Sequence, residues 1–459
     1  MRKLVVGIAM VAAMGSAQAA ETRSPPPAEH KLLQTIASDV SAEDLKATID
    51  TLVWFGTRHT LSDTRSDRRG IGAARRWVKK RFEAMAKACG GCLQVETPTD
   101  TVTGKRVPKP TEIMDVLAIQ KGISDPDRVI VIAGHLDSRV TDVMNAKSNA
   151  PGADDDGSGV AAVIEAARVL SKHKFPATLV YAVLSGEEQG LYGGKLLAKY
   201  ATAQGWQVEA DLNNDIIGNS TGENGVHDAT HVRVFSEGTK STETEKQAAR
   251  RRYNGGEVDS PSRNLARFID GLAGQYLTGF KVRMIYRTDR YSRGGDQVPM
   301  LAAGFPAVRL TEAIENYTHE HQDVRTENGI KYGDRAAFID FPYLAQVTRL
   351  NAVTMAALAM APVPPADVTI KGAVAHDTTV SWSGVPGAAR YRVWWRNTIA
   401  PRWTHVRDAG KSSSLVLKNV TIDDWFFGVS SVSADGYESP VEFPGVAGDF
   451  RAPKKMGAE

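Results

Sequence analysis

Two regions of the chain differ in how apolar and polar residues are arranged. Between residues 41 and 361, short apolar runs alternate with segments in which apolar residues recur at helical spacing. The apolar runs predict four strands, at residues 129–133, 178–184, 211–217 and 306–310. The predicted helices include 158–171, 191–203 and 335–361, together with two helices between 41 and 88. Such alternation is typical of an α/β fold with a mostly parallel or mixed central sheet flanked by helices.

The second region, residues 368–446, is expected to be a small all-β sandwich because its β-rich runs are short and are separated by turns. These runs are TTVSW, RYRVWW, SLVLKNV and FFGVSSV. The region resembles a fibronectin type III domain in Trp382, in the strand that starts at Tyr391 and in the late stretch GVSSVSADGYESP. It departs from that pattern at residues 425–427, where Trp-Phe-Phe replaces the expected tyrosine. Such a domain is a candidate for contact with a surface or a polymer.

Three other segments complete the predicted organisation. The polar, proline-bearing start of the mature chain, residues 20–40, is expected to be loose. Residues 362–367 (PVPPAD) are interpreted as a linker. Residues 447–459 are interpreted as a C-terminal tail.

The first 19 residues match a secretory signal peptide. Arg2 and Lys3 precede a mostly apolar segment, and Ala17-Gln18-Ala19 offers a small-x-small cleavage site. We therefore expect cleavage after Ala19 and export to the periplasm or the medium. No apolar stretch after residue 20 is long enough to span a membrane. Loss of Arg2 and Lys3 lowers the formal charge from +3 to +1, and this small charge argues against a nucleic-acid partner.

The two cysteines stand close together as Cys89-Gly-Gly-Cys92. In an exported protein this spacing favours a small structural disulfide that closes a turn. A redox site of the C-x-x-C type would need a strand before the motif and a helix after it, whereas a predicted helix precedes it here.

Histidines and carboxylates follow each of the four predicted strands. They are His135, Asp137 and Asp155 after the first strand, Glu187 and Glu188 after the second, Asp215 near the end of the third, and His319 after the fourth. Singly, each is explained by a helix cap or a local hydrogen bond. Because ligands of open α/β sheets bind beyond the carboxyl ends of the strands, we expect these side chains to share one edge. Two histidines and several carboxylates at one edge predict a zinc site.

The charge of this set favours two metal ions over one. Asp155, Glu188 and Asp215 supply three negative charges, and a single divalent ion would leave a carboxylate uncompensated in a poorly solvated pocket. Two ions about 3.5–4 Å apart would act as a co-catalytic pair. Zinc suits mixed imidazole and carboxylate ligands, and manganese or cobalt are the substitutes.

Glu187 and Glu188 are adjacent, and adjacent side chains of an extended chain point in opposite directions. One of them can therefore bind metal while the other faces the reacting water as a general base. Neighbouring carboxylates raise the pKa of such a base and metal ions lower it.

The motifs resemble those of the secreted di-zinc aminopeptidases of the aminopeptidase S and Y type. This family is related to bacterial leucyl aminopeptidase, glutamate carboxypeptidase and glutaminyl cyclase. The similar stretches, which extend over about residues 40–360, are GHLDS, PGADDDGSG, SGEEQGL, the Asp before Ile-Ile-Gly, and Tyr-Thr-His with an Asp four residues later. The resemblance implies a zinc exopeptidase fold and cleavage of the first peptide bond of peptides or proteins.

The same resemblance implies roles for individual residues. His135 and Asp215 would hold one zinc ion, Glu188 and His319 the other, and Asp155 would bridge the pair. Glu187 would be the general base and acid, and Asp137 would orient His135. His321 remains the alternative to His319, and the family's spacing to Asp323 favours His319.

The substrate-binding residues and the direction of cleavage stay open at this point. Arg293 and Asp296 are candidates for the substrate pocket. Arginines such as Arg287, Arg290 and Arg293 could bind a terminal carboxylate, so a carboxypeptidase of the same fold is the alternative function. A glutaminyl cyclase is disfavoured because that chemistry uses one zinc ion and the sequence retains ligands for two.

The sequence disfavours two functions from other classes of protein, a serine hydrolase and an inactive binding protein. Residues 218–222 (GNSTG) match the nucleophile-elbow pattern of serine hydrolases, with Ser220 as the nucleophile and Asp296 and His319 as partners. The pattern requires a helix directly after the serine, and the next residues are polar and then strand-like. An inactive binding protein would be expected to lack a metal ligand, and none is missing.

Overall fold

A computed structural model describes residues 29–451 of the chain. The predicted signal peptide, residues 1–19, lies outside the described residues, as does most of the predicted tail. Within residues 29–451, no helix combines the length and the apolar character that crossing a bilayer requires.

Helices and strands alternate along most of the chain. The helices are α1 (Lys31–Asp39), α2 (Ala42–Trp54), α3 (Ile71–Ala88), α4 (Gly157–Leu170), α5 (Tyr192–Ala203), α6 (Glu245–Asn254), α7 (Pro261–Tyr276), α8 (Gln297–Ala302) and α9 (Phe341–Met360). The first ten strands are β1 (Gln94–Glu96), β2 (Thr99–Gly104), β3 (Val107–Met114), β4 (Val116–Gln120), β5 (Asp125–His135), β6 (Ala177–Leu184), β7 (Gln207–Asn214), β8 (His231–Phe235), β9 (Lys281–Ile285) and β10 (Ala307–Glu312). The later strands are β11 (Arg325–Glu327), β12 (Ile330–Tyr332), β13 (Ala366–Lys371), β14 (Thr378–Ser383), β15 (Arg390–Asn397), β16 (His405–Gly410), β17 (Ser414–Leu417) and β18 (Trp425–Val432).

An eight-stranded mixed sheet forms the centre of the fold, in the order β1-β4-β6-β5-β7-β10-β8-β9. Its four middle strands, β6, β5, β7 and β10, are parallel neighbours. Their carboxyl ends therefore meet at one edge, where ligands of open α/β sheets bind. This arrangement confirms the predicted α/β fold with a mostly parallel or mixed sheet.

Both faces of the sheet are covered, so its central strands are apolar on both sides. Alternate residues of β5 point to opposite faces. Ile130 and Ile132 pack in the core with helices α2, α4 and α9, whereas Val129 and Val131 pack against α5 and α8. This double burial explains why the central strands appear in the sequence as unbroken apolar runs.

The structure corrects several predicted boundaries. Residues 31–39, expected to belong to a loose N-terminus, form α1, which buries Leu33 and Ile36 in the main core. Strand β7 ends at Asn214, three residues before the predicted end. The last helix of this region starts at Phe341, after Asp340, whose side chain accepts a hydrogen bond from the backbone N–H of Tyr343.

Residues 366–432 form two three-stranded antiparallel sheets, β13-β14-β17 and β16-β15-β18. Apolar residues of both sheets share one core, which includes Trp382, Val393 and Phe427. The first strand begins at Ala366, inside the predicted linker. The two sheets form the predicted small β-sandwich, and its assignment to the fibronectin type III class stays a prediction.

Cys89 caps the C-terminal end of α3 and forms a disulfide with Cys92. The bond closes the turn between this helix and β1. It is the structural disulfide that the spacing and the predicted export favoured.

The sandwich is attached to the rest of the fold by a buried ion pair. The guanidinium of Arg396, on β15, donates two hydrogen bonds to the carboxylate of Asp259, at 2.7 and 2.8 Å. Asp259 precedes α7 and also accepts a hydrogen bond from Arg267 at 2.8 Å. Arg396 is 1% exposed and Asp259 is 0% exposed. A charge buried so completely depends on its partner, because an unpaired charge in the protein interior is strongly unfavourable.

We expect Arg396→Met to lower the free energy of unfolding by about 3 kcal/mol, since it removes one partner of a buried pair. Urea titration measures the change. Arg402→Met is the matched control. Arg402 also joins the sandwich to this region, by pairing with Asp270 on α7, but its side chain is 54% exposed. That control should cost less than about 1 kcal/mol. Equal losses for the two variants would contradict the importance assigned to the buried pair.

Candidate metal centre

The candidate ligands come from loops at the carboxyl ends of the parallel strands. His135 is the last residue of β5, and Asp155 precedes α4 in the loop that follows. Glu188 follows β6 and Asp215 follows β7. Because these strands are neighbours in the sheet, residues distant in sequence meet at one place.

The first group consists of His135, Asp155 and Asp215, and all three are buried. The Nε2 atom of His135 lies 3.1 Å from Oδ1 of Asp155 and 3.8 Å from Oδ1 of Asp215. One ligand atom from each residue lies within 4.8 Å of the other two. The Nδ1 atom of His135 lies 3.0 Å from the backbone oxygen of Asp137, which leaves Nε2 directed at the carboxylates.

The second group consists of Asp155, Glu188 and His321. The Nε2 atom of His321 lies 2.7 Å from Oδ2 of Asp155 and 3.1 Å from Oε1 of Glu188. Asp155 belongs to both groups, and its two oxygens face different histidines. This is the arrangement expected of a carboxylate that bridges two ions.

His319 does not join either group, in contrast to the sequence-based assignment. Its ring stacks on Phe338, with ring centroids 3.7 Å apart and planes 4° apart. Burial and the charge of Arg335 lower the pKa of His319 to about 4, so its imidazole is neutral at physiological pH. His321, the alternative, lies in the second group. Its backbone adopts a left-handed conformation with φ of 56°, which no spacing rule would reveal.

The electrostatics of the cluster favour cations. Burial alone would lower the pKa of His135, but hydrogen bonds with Asp155 and Asp215 outweigh it and the net pKa is raised well above its usual value. The pKa of His321 is also raised despite burial, by Glu188 and Asp155. Burial would raise the pKa of Asp155, but the two histidines hold it well below its usual value. The carboxylates thus stabilise positive charge on the two histidines.

Glu187 lies beside the cluster but outside both groups. Its side chain lines the cavity in front of them. Burial, together with the charges of Asp215 and Glu188, raises the pKa of Glu187 well above its usual value. The adjacent glutamates therefore occupy different positions, as predicted, but they lie in a turn and not in the extended chain from which this was predicted.

Asp137 holds the turn that carries both glutamates. Its carboxylate accepts hydrogen bonds from the backbone N–H groups of Gly186, Glu187 and Glu188, at 2.7, 3.2 and 3.1 Å. Its nearer carboxylate oxygen is 3.7 Å from Nδ1 of His135. The carboxylate thus fixes the backbone of the glutamates more directly than it orients the imidazole.

Two buried carboxylates flank Asp155 and hold its loop. Asp156 caps α4 by accepting a hydrogen bond from Gly159, and its other oxygen accepts the backbone N–H of His135 at 2.8 Å. Asp334 accepts the backbone N–H groups of Asp154 and Asp155. The acidic run in PGADDDGSG therefore combines one candidate ligand with residues that position it.

Two fully buried arginines support the site, and the sequence-based interpretation missed both. Arg58 donates to the backbone oxygens of Leu136 and Gly152 at 2.7 Å, which ties together the loops of His135 and Asp155. Arg309, on β10, lies 2.7 Å from Oδ2 of Asp215. The signal for Arg309 was its place in the apolar run PAVRL, because a charged residue in a buried strand requires a partner.

A cavity of about 590 Å³ opens in front of the cluster. Arg293, predicted to contact substrate, lines it together with Arg290. Asp296 is 2% exposed and accepts the backbone N–H of Gly194 at 2.9 Å, so it supports α5 beneath the cavity wall. Burial raises the pKa of Asp296 to about 7. Arg287 lies against the ring of Tyr291, away from the cavity lining.

Ser220 does not form a nucleophile elbow. Its hydroxyl donates to Oδ2 of Asp340 at 2.6 Å, and the residue is 2% exposed. The next residue, Thr221, pairs with His227 in a turn, where the elbow would need a helix.

The chemistry of the two groups fits zinc. Each group offers one imidazole nitrogen and two carboxylate oxygens, which are common zinc ligands, and leaves room for a water or substrate ligand. Within residues 29–451, each group contains three candidate ligands, one fewer than the four of a structural zinc site, which is typical of catalytic sites.

Comparisons with known proteins agree with this chemistry. Residues 115–337 match peptidase family M28. The chain is 46% identical to a probable zinc metalloprotease of Pyrenophora tritici-repentis over 418 residues, covering 90% of this chain and 86% of the relative. It is 44% identical to one of Leptosphaeria maculans over 422 residues, covering 91% and 98%.

The fold is also similar to a solved structure, LapB from Legionella pneumophila. The TM-score is 0.52 at 16% sequence identity, covering 73% of this chain and 76% of that chain. Together with the sequence relatives, the histidine and carboxylate groups at the sheet edge lead to one assignment: this chain belongs to peptidase family M28 and is a zinc metallopeptidase.

Proposed function

We propose that the protein is an exported aminopeptidase that uses two zinc ions and Glu187 to release the N-terminal residue of peptides. The observation that carries this proposal is the shared Asp155, whose Oδ1 faces His135 at 3.1 Å and whose Oδ2 faces His321 at 2.7 Å. A carboxylate placed in this way serves two adjacent positions. Export is inferred from the N-terminal sequence and agrees with the disulfide.

His135, Asp155 and Asp215 would hold one ion, and Asp155, Glu188 and His321 the other. When bound, the ions would polarise the peptide carbonyl and make a water molecule more acidic. Arg309 keeps one oxygen of Asp215 occupied, so the other remains directed at His135.

Glu187 is the general base and acid of the proposal. It lines the cavity, and its backbone N–H is held by Asp137. In this position its carboxylate takes a proton from the attacking water and returns the proton to the departing amine. A partly buried carboxylate with a raised pKa is suited to both halves of that transfer.

Glu320 supports cleavage at the N-terminus over the C-terminus. It lines the cavity beside His321 and is 8% exposed. One of its oxygens pairs with Arg293, whereas Oε2 has no hydrogen-bond partner. This oxygen is buried, and because a buried carboxylate oxygen without a donor is unfavourable, a substrate ammonium group that enters beside it would be a suitable partner. Arg290 and Arg293, which a carboxypeptidase would use for a terminal carboxylate, are both engaged by Glu315.

The direction of cleavage is tested with aminoacyl amides and their N-acetyl counterparts. We expect turnover of the free-amine substrates alone, because acetylation removes the ammonium group. Chelation should abolish this turnover, and added zinc should restore it. Cleavage of the acetylated amides would rule out an aminopeptidase, and turnover that survives complete removal of metal would rule out the metal mechanism.

Zinc content after dialysis tests the ligand assignment. We expect two zinc equivalents per chain in the wild-type protein and about one in His321→Ala, since that variant loses an imidazole of the second group. His319→Ala is the control and should keep two, because His319 stacks on Phe338. Loss of zinc from His319→Ala with retention in His321→Ala would reverse the assignment.

Glu187→Gln tests the general base separately from metal binding. We expect kcat to fall by about 10²–10⁴-fold, the usual contribution of general acid–base catalysis. The zinc content should stay unchanged, because Glu187 lies outside both metal groups. Glu223→Gln, at an exposed turn, is the control and should keep full activity. Wild-type kcat in Glu187→Gln would remove this residue from the mechanism.

A further inference from the structure

The cationic side chains around the cavity differ in whether a carboxylate of the protein neutralises their charge. Four arginines line it: Arg106, Arg139, Arg290 and Arg293. Three of them form ion pairs within the wall. Arg290 and Arg293 pair with Glu315 and Glu320, and Arg139 lies 2.9 Å from Glu188.

Arg106 is the exception. Its Nη1 donates to the backbone oxygen of Glu188 at 2.9 Å. Among residues 29–451, no carboxylate forms an ion pair with its guanidinium. A guanidinium has five N–H donors in a planar fork, so most of the donors of Arg106 remain available beside the proposed metal ligand.

The hairpin that carries Arg106 is held in place over the site. Arg106 lies in the turn between β2 and β3. Asp100 on β2 pairs with Lys199 on α5 at 2.9 Å, and the hydroxyl of Tyr192 approaches the backbone oxygen of Thr103 at 3.5 Å. The contact with the Glu188 backbone adds a third attachment, so the guanidinium is positioned before substrate arrives.

We propose that Arg106 recognises a carboxylate of the peptide substrate and thereby gives the enzyme a preference for acidic or very short peptides. The proposal rests on the proposed peptidase function of the same cavity. A guanidinium matches a carboxylate with two parallel hydrogen bonds. The carboxylate comes either from an acidic side chain at the N-terminus of the substrate or from the C-terminus of a dipeptide. Arg106 is a specificity residue and takes no part in proton transfer.

The test compares two pairs of substrates that differ only in a carboxylate. Glu-Ala-amide against Gln-Ala-amide examines a side-chain carboxylate, and Ala-Ala against Ala-Ala-amide examines a terminal one. For at least one pair, we expect the wild-type enzyme to show a kcat/KM about tenfold higher for the carboxylate-bearing member. Arg106→Ala should reduce that ratio to about one, mainly through KM, and Arg106→Lys should restore part of it.

Lys105→Ala is the matched control. It removes one positive charge from the same turn, but Lys105 does not line the cavity, so the ratio should stay at the wild-type value. The pair whose ratio falls in Arg106→Ala identifies the source of the carboxylate. Ratios near one for both pairs in the wild-type enzyme, or ratios that Lys105→Ala lowers as much as Arg106→Ala, would overturn the proposal.

A failure of the proposed function gives a different result. If the zinc-loaded enzyme cleaves none of the four peptides, the aminopeptidase assignment is wrong, and the same uncleaved peptides then serve as ligands in calorimetry. Tighter binding of a carboxylate-bearing member that is lost in Arg106→Ala would still support the role of Arg106. Equal affinities within both pairs would refute it.

Discussion

The constraint on which the structure depends is the burial of many carboxylates at one edge of a sheet. A carboxylate that ionises in a region that water reaches poorly is tolerated only when it is paired or binds a cation. Asp155, Glu188 and Asp215 face the two histidines. Asp137, Asp156 and Asp334 accept backbone N–H groups. The loops at this edge are therefore ordered by charge compensation as much as by apolar packing.

The same constraint explains why neighbouring acids make different contacts and have different roles. Asp155 faces both histidines, while Asp156 caps α4 and accepts the backbone N–H of His135. Glu188 lies in the second group, while Glu187 faces the cavity. In each pair, adjacent residues project in different directions, so one stretch of chain supplies both a ligand and a residue with another role.

Much of the fold and of the site could be predicted because parallel strands leave strong signals. Unbroken apolar runs marked the central strands, and the polar residues after each run had to converge, since the carboxyl ends of parallel strands lie together. The choice between His319 and His321 could not be made in this way. It depends on a left-handed backbone at His321 and on the stacking of His319 against Phe338, both of which arise from tertiary packing. The N-terminal helix α1 was missed because its stability comes from packing on the core more than from its own sequence.

The buried ion pair between Arg396 of the sandwich and Asp259 also limits how far the chain can be truncated from its C-terminus. The match to family M28 ends at residue 337, but α9 and the sandwich lie beyond that point and both pack on the preceding residues. A fragment that stopped there would expose the apolar surface covered by α9 and leave Asp259 without Arg396. The smallest autonomous unit is therefore larger than the segment that matches the family. The β-sandwich resembles an appended module but belongs to the hydrophobic and ionic framework of the enzyme.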